Sequence, residues 1–189
     1  MKEQMKIAIR FALLTTLLFG VGYPLAVTGL AQLIFPKQAN GSFLEGARPA
    51  GSRLIGQPFT GDSYFHPRPS AAGNGYDPMS SGGSNLGPTN HLLVDRAAAD
   101  LQKLQAENPG VAVPIDLVTT SASGVDPDIS PAAAQFQIPR VARTRKVSRE
   151  KVSALVNANT TPRQLGVLGE PRVNVLELNR ALDAAFPLN

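Results

Sequence analysis

The hydrophobic pattern is most extreme near the start of the chain. Phe11 to Phe35 is an uncharged run of 25 residues bracketed by Arg10 and Lys37. At about 1.5 Å of rise per residue it spans roughly 37 Å as a helix, enough to cross a ~30 Å hydrocarbon core with some tilt. A secretory h-region is typically about 7–15 residues, so the length favours a retained anchor over a cleaved leader, with Gly29-Leu30-Ala31 as the cleavage site of the competing reading. Pro24 has no N–H to offer Gly20, which predicts a kink or a compensating partner. Gly22, Ala26 and Gly29, spaced by four and three around Pro24, align on one face. Small residues there let a second helix approach closely in lipid, although glycine and proline are also simply commoner in membrane helices.

After Pro36 the pattern breaks into short, mixed pieces. Residues 36–87 are dense in Gly, Pro, Ser and Asn and hold no sustained helical period; Ser52–Phe59 and Ser63–Phe65 read as strands. Thr89 to Glu107 is the clearest helix, with Leu93, Ala97, Leu101 and Leu104 at helical spacing and Asn108-Pro109-Gly110 as its stop. Val113–Thr119 reads as a strand and Thr120–Ser130 as a loop. Ser130-Pro131 has the form of an N-cap followed by proline at the first helical position. Pro139 is expected to break or kink that helix. Ser148 reads as the cap of a further helix carrying Val152, Leu155 and Val156. Asn174, with Glu177 three residues on, resembles a capping box opening a last helix through Leu178 and Leu182. The expected fold class is α+β: a short basic tail over 1–10, a transmembrane helix over 11–35, and one mixed extramembrane domain over 36–189.

Charge adds an orientation. Lys2, Lys6 and Arg10 precede the apolar run and Lys37 alone closely follows it, so the positive-inside rule places the N-terminus in the cytoplasm and the domain outside. The chain has 18 Lys+Arg and 14 Asp+Glu. Setting aside Lys2, Lys6, Arg10 and Glu3 leaves 15 and 13, a net +2 that gives no argument for nucleic acid. A domain of this size can bury about two-thirds of its unfolded surface, so one core is feasible. There is no cysteine, which excludes disulfides, thiol catalysis and thiolate metal sites.

Catalytic motifs are missing. The sequence has no Walker-type phosphate loop, no G-x-G-x-x-G after a strand and no H-E-x-x-H. His66 and His91 are far apart along a Pro/Gly/Ser stretch and argue against a two-histidine metal site. Ser148 to Lys151 matches S-x-x-K without its accompanying elements, so a helix cap explains Ser148 better. Asp126-Pro127-Asp128 reads as a turn, with a cation site as the lesser alternative. Two segments stay open. Ser81, Gly82, Gly83, Ser84 and Asn85 form a loop rich in N–H groups and hydroxyls, suited either to an anion or phosphate or to a tight turn whose glycines take positive φ. Arg140, Arg143, Arg145, Lys146, Arg149 and Lys151 form a basic cluster that could face headgroups or an acidic partner; a solvated helix face is the commoner explanation.

Several blocks together carry a resemblance. Ser52 to Gln57, Tyr64 to Gly73, Ser81 to Pro88, Asp116 to Thr119, Ser123 to Pro127, Arg140 to Ala142 and Gly169 to Leu176 resemble, in order and over nearly the whole chain, the C subunit of the Kdp potassium-transporting ATPase, the KdpC family. Ala122 stands where the family usually has glycine, Asp128 where it has histidine and Lys146 where it has glycine. The resemblance implies a non-catalytic subunit of an ATP-driven potassium importer in the cell inner membrane. Its implied partners are a channel-like potassium-binding subunit, a P-type ATPase subunit and membrane lipid. It implies no tightly bound cofactor and no metal. The family is described as a catalytic chaperone raising the ATP affinity of the hydrolytic subunit, with Ser81–Asn85 compared to the signature loop of ABC transporters. Direct contact with cytoplasmic ATP conflicts with a domain outside the cell. The readings from other classes are a membrane-anchored serine hydrolase using Ser70 or Ser84, and a free-standing extracytoplasmic binding protein; no base stands beside either serine in sequence.

Overall fold

A computed structural model describes residues 1–44 and 51–188. The chain divides into two units at Ser52 and Arg53, each described by itself.

The first unit is dominated by one helical rod, Lys2–Ile34, long and apolar enough to cross a membrane. It comprises α1 (Lys2–Thr15), a π-helical stretch (Thr16–Gly22) and α2 (Tyr23–Ile34). The helix begins well before Phe11 and carries the basic tail on its first turns. The defect expected at Pro24 is absorbed one turn earlier. The Tyr23 N–H bonds the Leu18 carbonyl, five residues back, so the wider π register directly precedes the proline that offers no N–H. Phe35, at φ −131°, ends α2, and Pro36 opens a short α3 (Pro36–Ala39) inside a region expected to be free of helix. An isolated antiparallel bridge, Phe43 to Ser52, closes the unit, with Ser52 Oγ donating to the Gly41 carbonyl at 2.6 Å.

The second unit packs helices around a small sheet. Its helices are α4 (His91–Glu107), α5 (Pro131–Arg145), α6 (Arg149–Ala158) and α7 (Val175–Ala185). The strands β1 (Asp128–Ile129), β2 (Thr160–Thr161) and β3 (Arg172–Asn174) are antiparallel in the order β1-β3-β2. Ile129 and Thr160 both stand opposite Val173, whose side chain is fully buried. Phe65, Phe136, Val141, Val152, Val156, Leu178 and Leu182 complete the main core with α5, α6 and α7.

The helix starts follow their caps. Ser130 Oγ accepts from the Ala133 N–H at 3.0 Å, Ser148 Oγ from Lys151 at 3.4 Å and Asn174 Oδ1 from Glu177 at 3.1 Å. Glu177 does not return the capping-box bond but pairs with Arg53. The α4 helix is capped by Asn90 and starts at His91, two residues later than the sequence suggested. Its Leu93, Ala97 and Leu104 are half-buried and its Leu101 is exposed; Leu104 packs against the core. Pro139 does not break α5, which continues to Arg145. The helix stops at Lys146, in the left-handed region at φ 56°, where the Val147 N–H reaches back to the Ala142 carbonyl. This is a Schellman-type ending, and it gives a physical reason for glycine at this position.

Three expected strands are absent. Residues 53–59 and 63–65 form turns and irregular chain rather than strands, and Ser52 forms an isolated bridge to Phe43. Side chains replace the missing strand around residues 61–66. Asn179 donates to the Phe65 carbonyl and accepts from its N–H, at 2.9 and 2.8 Å. Gln137 does the same for His66, at 3.0 and 2.7 Å. Each amide thus copies the donor–acceptor pair of a neighbouring strand. Val113–Thr119 is not a strand either. Pro114 leads into a 3-10 turn, Ile115–Leu117, and Thr119 bonds the Ile115 carbonyl through both its N–H and its hydroxyl. The Asp126-Pro127-Asp128 turn survives as an Asx turn, Asp126 Oδ1 accepting from the Asp128 N–H at 3.0 Å, but Asp128 itself opens β1.

Candidate functional site

Three irregular stretches, 64–77, 81–87 and 119–128, hold most of the unusual sequence blocks, and the fold brings them together. Arg68 is the hub. Its Nη1 meets Asp126 Oδ2 at 3.1 Å, and its Nη2 donates to Thr119 Oγ1 and the Thr120 carbonyl, both at 3.4 Å. The Tyr76 hydroxyl donates to the Arg68 carbonyl. Burial, aided by the Asp126 charge, pushes the Tyr76 phenol far above its ordinary pKa, so it serves as a donor. Ser70 Oγ donates to the Gly124 carbonyl at 2.5 Å and accepts from the Ala72 and Tyr76 N–H groups at 3.2 and 2.8 Å. A hydroxyl committed to a carbonyl, with two N–H groups on its oxygen, holds a turn; no base stands beside it to activate it.

The glycine-rich stretch lies along 121–124. The Ser81 hydroxyl and the Gly82 N–H both donate to the Ser123 carbonyl, at 2.9 and 2.8 Å. A Cβ on Gly83 would stand 3.2 Å from the Ala122 carbonyl oxygen. Gly124, at φ +67°, is tighter: a Cβ there would lie 2.7 Å from atoms of Ala72 and from the Gly82 carbonyl oxygen. Only glycine fits where these backbones cross. Gly82 and Gly83 do not take positive φ, contrary to the tight-turn expectation; the left-handed residue of this stretch is Asn85, at φ 53°. Ser81 and Asn85 are exposed, while Gly82, Gly83 and Ser84 are half-buried. The chain then turns at Pro88-Thr89, and Asn90 takes up the first donors of α4: its side chain accepts from Leu92, its carbonyl from Leu93.

The basic cluster is not a single surface, which corrects both of its sequence readings. Arg140 and Arg145 are buried, at 5 and 8 % exposure. Arg140 bonds Glu107 and Gln137, each at 2.8 Å, and the carbonyls of Asp62 and Tyr64. Arg145 bonds Asp183 and the carbonyls of Ser63 and Phe186, and lies over the Tyr64 ring. Arg143, Lys146, Arg149 and Lys151 are exposed. His66 and His91 are not brought together as ligands: His66 is half-buried with Nε2 3.0 Å from the Gly61 carbonyl, and His91 is exposed at the start of α4. Burial, followed by the Arg140 charge, lowers the His66 pKa.

A cleft of about 560 Å³ opens between the 3-10 turn and the sheet. Its charges are mostly paired within the fold: Arg68 with Asp126, Arg172 with Asp128 at 3.1 Å, and Asp116 with the N–H and hydroxyl of Ser130. Burial raises the Asp128 pKa, against the Asn174 bond and Arg172. Among the described residues no group of three or more His, Cys, Asp or Glu side chains could hold a metal ion. Gly22, Pro24, Ala26 and Gly29 lie on the exposed surface of the long helix, and space around a Cβ on Gly29 is open.

Sequence reasoning missed the polar clamps. Their signal was present: Gln137 interrupts the apolar Phe136–Ile138 run, and Asn179 lies in the Val175, Leu178, Leu182 stripe. A polar residue on a core-facing stripe must find partners.

One apolar helix long enough to span a bilayer, followed by a small α+β domain whose irregular segments are pinned by side chains, defines the class: a mixed α+β domain behind a candidate membrane helix. Comparison narrows this. The family model "KdpC: K+-transporting ATPase, c chain" matches residues 5–184. A protein of Koribacter versatilis, "Potassium-transporting ATPase KdpC subunit", is 54% identical over 189 residues, covering 100% of this chain and 98% of its own. Proteins of the same name from Rhodospirillum rubrum and Myxococcus xanthus are 60% and 58% identical over 183 residues, each covering 95% of this chain and 94% and 87% of their own. The chain belongs to the KdpC family.

Proposed function

We propose that this chain is the non-catalytic subunit of a potassium-transporting P-type ATPase, bound to its channel-like and hydrolytic subunits. The observation that carries the reading is the family match over residues 5–184, with relatives covered nearly end to end. The geometry supports how such a subunit works. The blocks that resemble the family, around Arg68, Ser70, Gly82 and Gly124, bond to one another through many of their polar groups and so build a shape. A shape acts by docking.

ATP enters this reading through the complex. The Gly82 N–H and Ser81 hydroxyl are engaged by Ser123, and Asn90 takes up the first donors of α4. Any influence on ATP affinity is therefore exerted through contact with the subunit that binds nucleotide. Lys2, Lys6 and Arg10 against Lys37 put the N-terminus in the cytoplasm and the domain outside the inner membrane. Protease added to intact spheroplasts tests this. Digestion of the domain is expected; protection until lysis would overturn the orientation and favour direct contact with nucleotide.

A further inference from the structure

The connection between β2 and β3 is a hairpin built to present apolar side chains. Gln164 and Leu168 exchange both backbone bonds at 2.9 Å, and the Val167 N–H closes onto the Gln164 carbonyl. At the base, Arg163 Nη2 bonds both Glu170 oxygens, at 2.7 and 2.5 Å. Below that base, Thr161 stands opposite Arg172 in the sheet, and Val173 next to it is in the core. The tip is thus tied to the rigid part of the domain.

Its side chains face water. Leu165 is 89 %, Val167 72 % and Leu168 55 % exposed. Leu165 also sits at φ 53°, a region that leucine rarely adopts and that glycine or asparagine fills readily. None of the three belongs to the buried core. Folding alone would favour polar residues here, with glycine or asparagine at 165.

We propose that this hairpin tip inserts into an uncharged, aliphatic crevice on another subunit of the same pump. The proposal rests on the reading of this chain as a pump subunit. Two other occupants fit less well. A second copy would need about 800 Å² of buried surface on each partner for a stable free-standing interface, and three aliphatic side chains supply much less. A small contact suffices when a membrane helix already holds the chain beside its partner at high effective concentration. Lipid insertion usually relies on aromatic residues and free cations. This tip has no aromatic residue, its one cation is tied to Glu170, and the exposed Glu170 carboxylate repels anionic headgroups. The charges at the base cancel each other, which matches a neutral acceptor.

The test uses the full-length chain expressed with the other pump subunits. A photo-reactive benzoylphenylalanine introduced at position 165 is irradiated in native membranes, with position 92 on α4 as the control; Leu92 is also exposed. A cross-link from 165, but not from 92, to another pump subunit is expected. Cross-linking to a second copy, to lipid alone, or to nothing overturns the proposal. The companion variant is Leu165→Gly with Leu168→Ser. Glycine suits φ 53°, so the thermal midpoint should hold or rise, while recovery of this chain through a tag on a partner falls about threefold or more. Wild-type recovery with an unchanged variant overturns the hairpin alone. Absence of partners in the wild-type preparation overturns the subunit reading, and the hairpin with it.

Discussion

Replacing Arg140 is the most informative perturbation of the domain. Its side chain is 5 % exposed and bonds the Glu107 carboxylate, the Gln137 amide and the carbonyls of Asp62 and Tyr64. Arg140→Met preserves much of the volume and deletes every one of those bonds. Breaking a buried ion pair costs about 3–5 kcal/mol, chiefly through the charge left behind. Glu107 keeps 18 % side-chain exposure, so water relieves part of that penalty. A loss of about 3 kcal/mol is the expected net, a large fraction of a typical 5–15 kcal/mol. Urea unfolding of the full chain in micelles, followed by circular dichroism, should show the midpoint falling by roughly 1–3 M, given slopes of about 1–3 kcal/mol per M. The amide of His66 should exchange faster, because Arg140 holds the Gln137 that clamps His66. Adding Glu107→Gln removes the stranded charge and should restore about 1–2 kcal/mol of stability. A single variant losing less than about 1 kcal/mol, or a double variant no better than the single, would refute the argument that the pair is a buried clamp.

Other outcomes follow from the same geometry. Lys146→Gly should raise the thermal midpoint by a few degrees, about 1 kcal/mol, because the left-handed cap at φ 56° suits glycine; a lower midpoint in a calorimetric scan would contradict that account of the helix end. The pKa of His66 is lowered from 6.5 on folding, chiefly by burial, so the folded state favours the neutral ring. Its contribution is complete above 6.5 and is lost as pH falls from there through the folded value; His66→Gln should flatten that part of the stability-against-pH curve, and an unchanged slope would exclude the ring as its source. Gly22→Leu with Ala26→Leu should reduce co-purification with the other subunits while insertion survives, each interhelical contact being on the order of 1 kcal/mol; equal recovery, compared with leucines at Thr16 and Gly20, would reduce the small-residue face to composition.

What was legible in the sequence was local. Ser130, Ser148 and Asn174 announce helix starts because a cap bonds an N–H only three residues on, and Pro24 announces a defect that the π-helical stretch supplies. What was not legible depends on distant partners. Ser63–Phe65 reads as strand because its residues are aromatic and β-prone, but the backbone partners of Phe65 and of the adjoining His66 are side chains of Asn179 and Gln137. Arg140 and Arg145 read as part of a solvated charge run because composition cannot show that Glu107 and Asp183 lie opposite them. The Ser81–Asn85 stretch was recognisable as a loop, but its alignment against 121–124 was not, since the two are about forty residues apart.

We propose that this chain enables a potassium pump without a catalytic site of its own. The most direct measurement is potassium-stimulated ATP hydrolysis in membranes carrying the other pump subunits, with and without this chain, beside the purified chain alone. Stimulated hydrolysis is expected only when this chain and its partners are together, with background turnover by the chain alone. Equal potassium-stimulated activity without the chain, or hydrolysis by the isolated chain that a single Ser70 or Ser84 substitution abolishes, would contradict it.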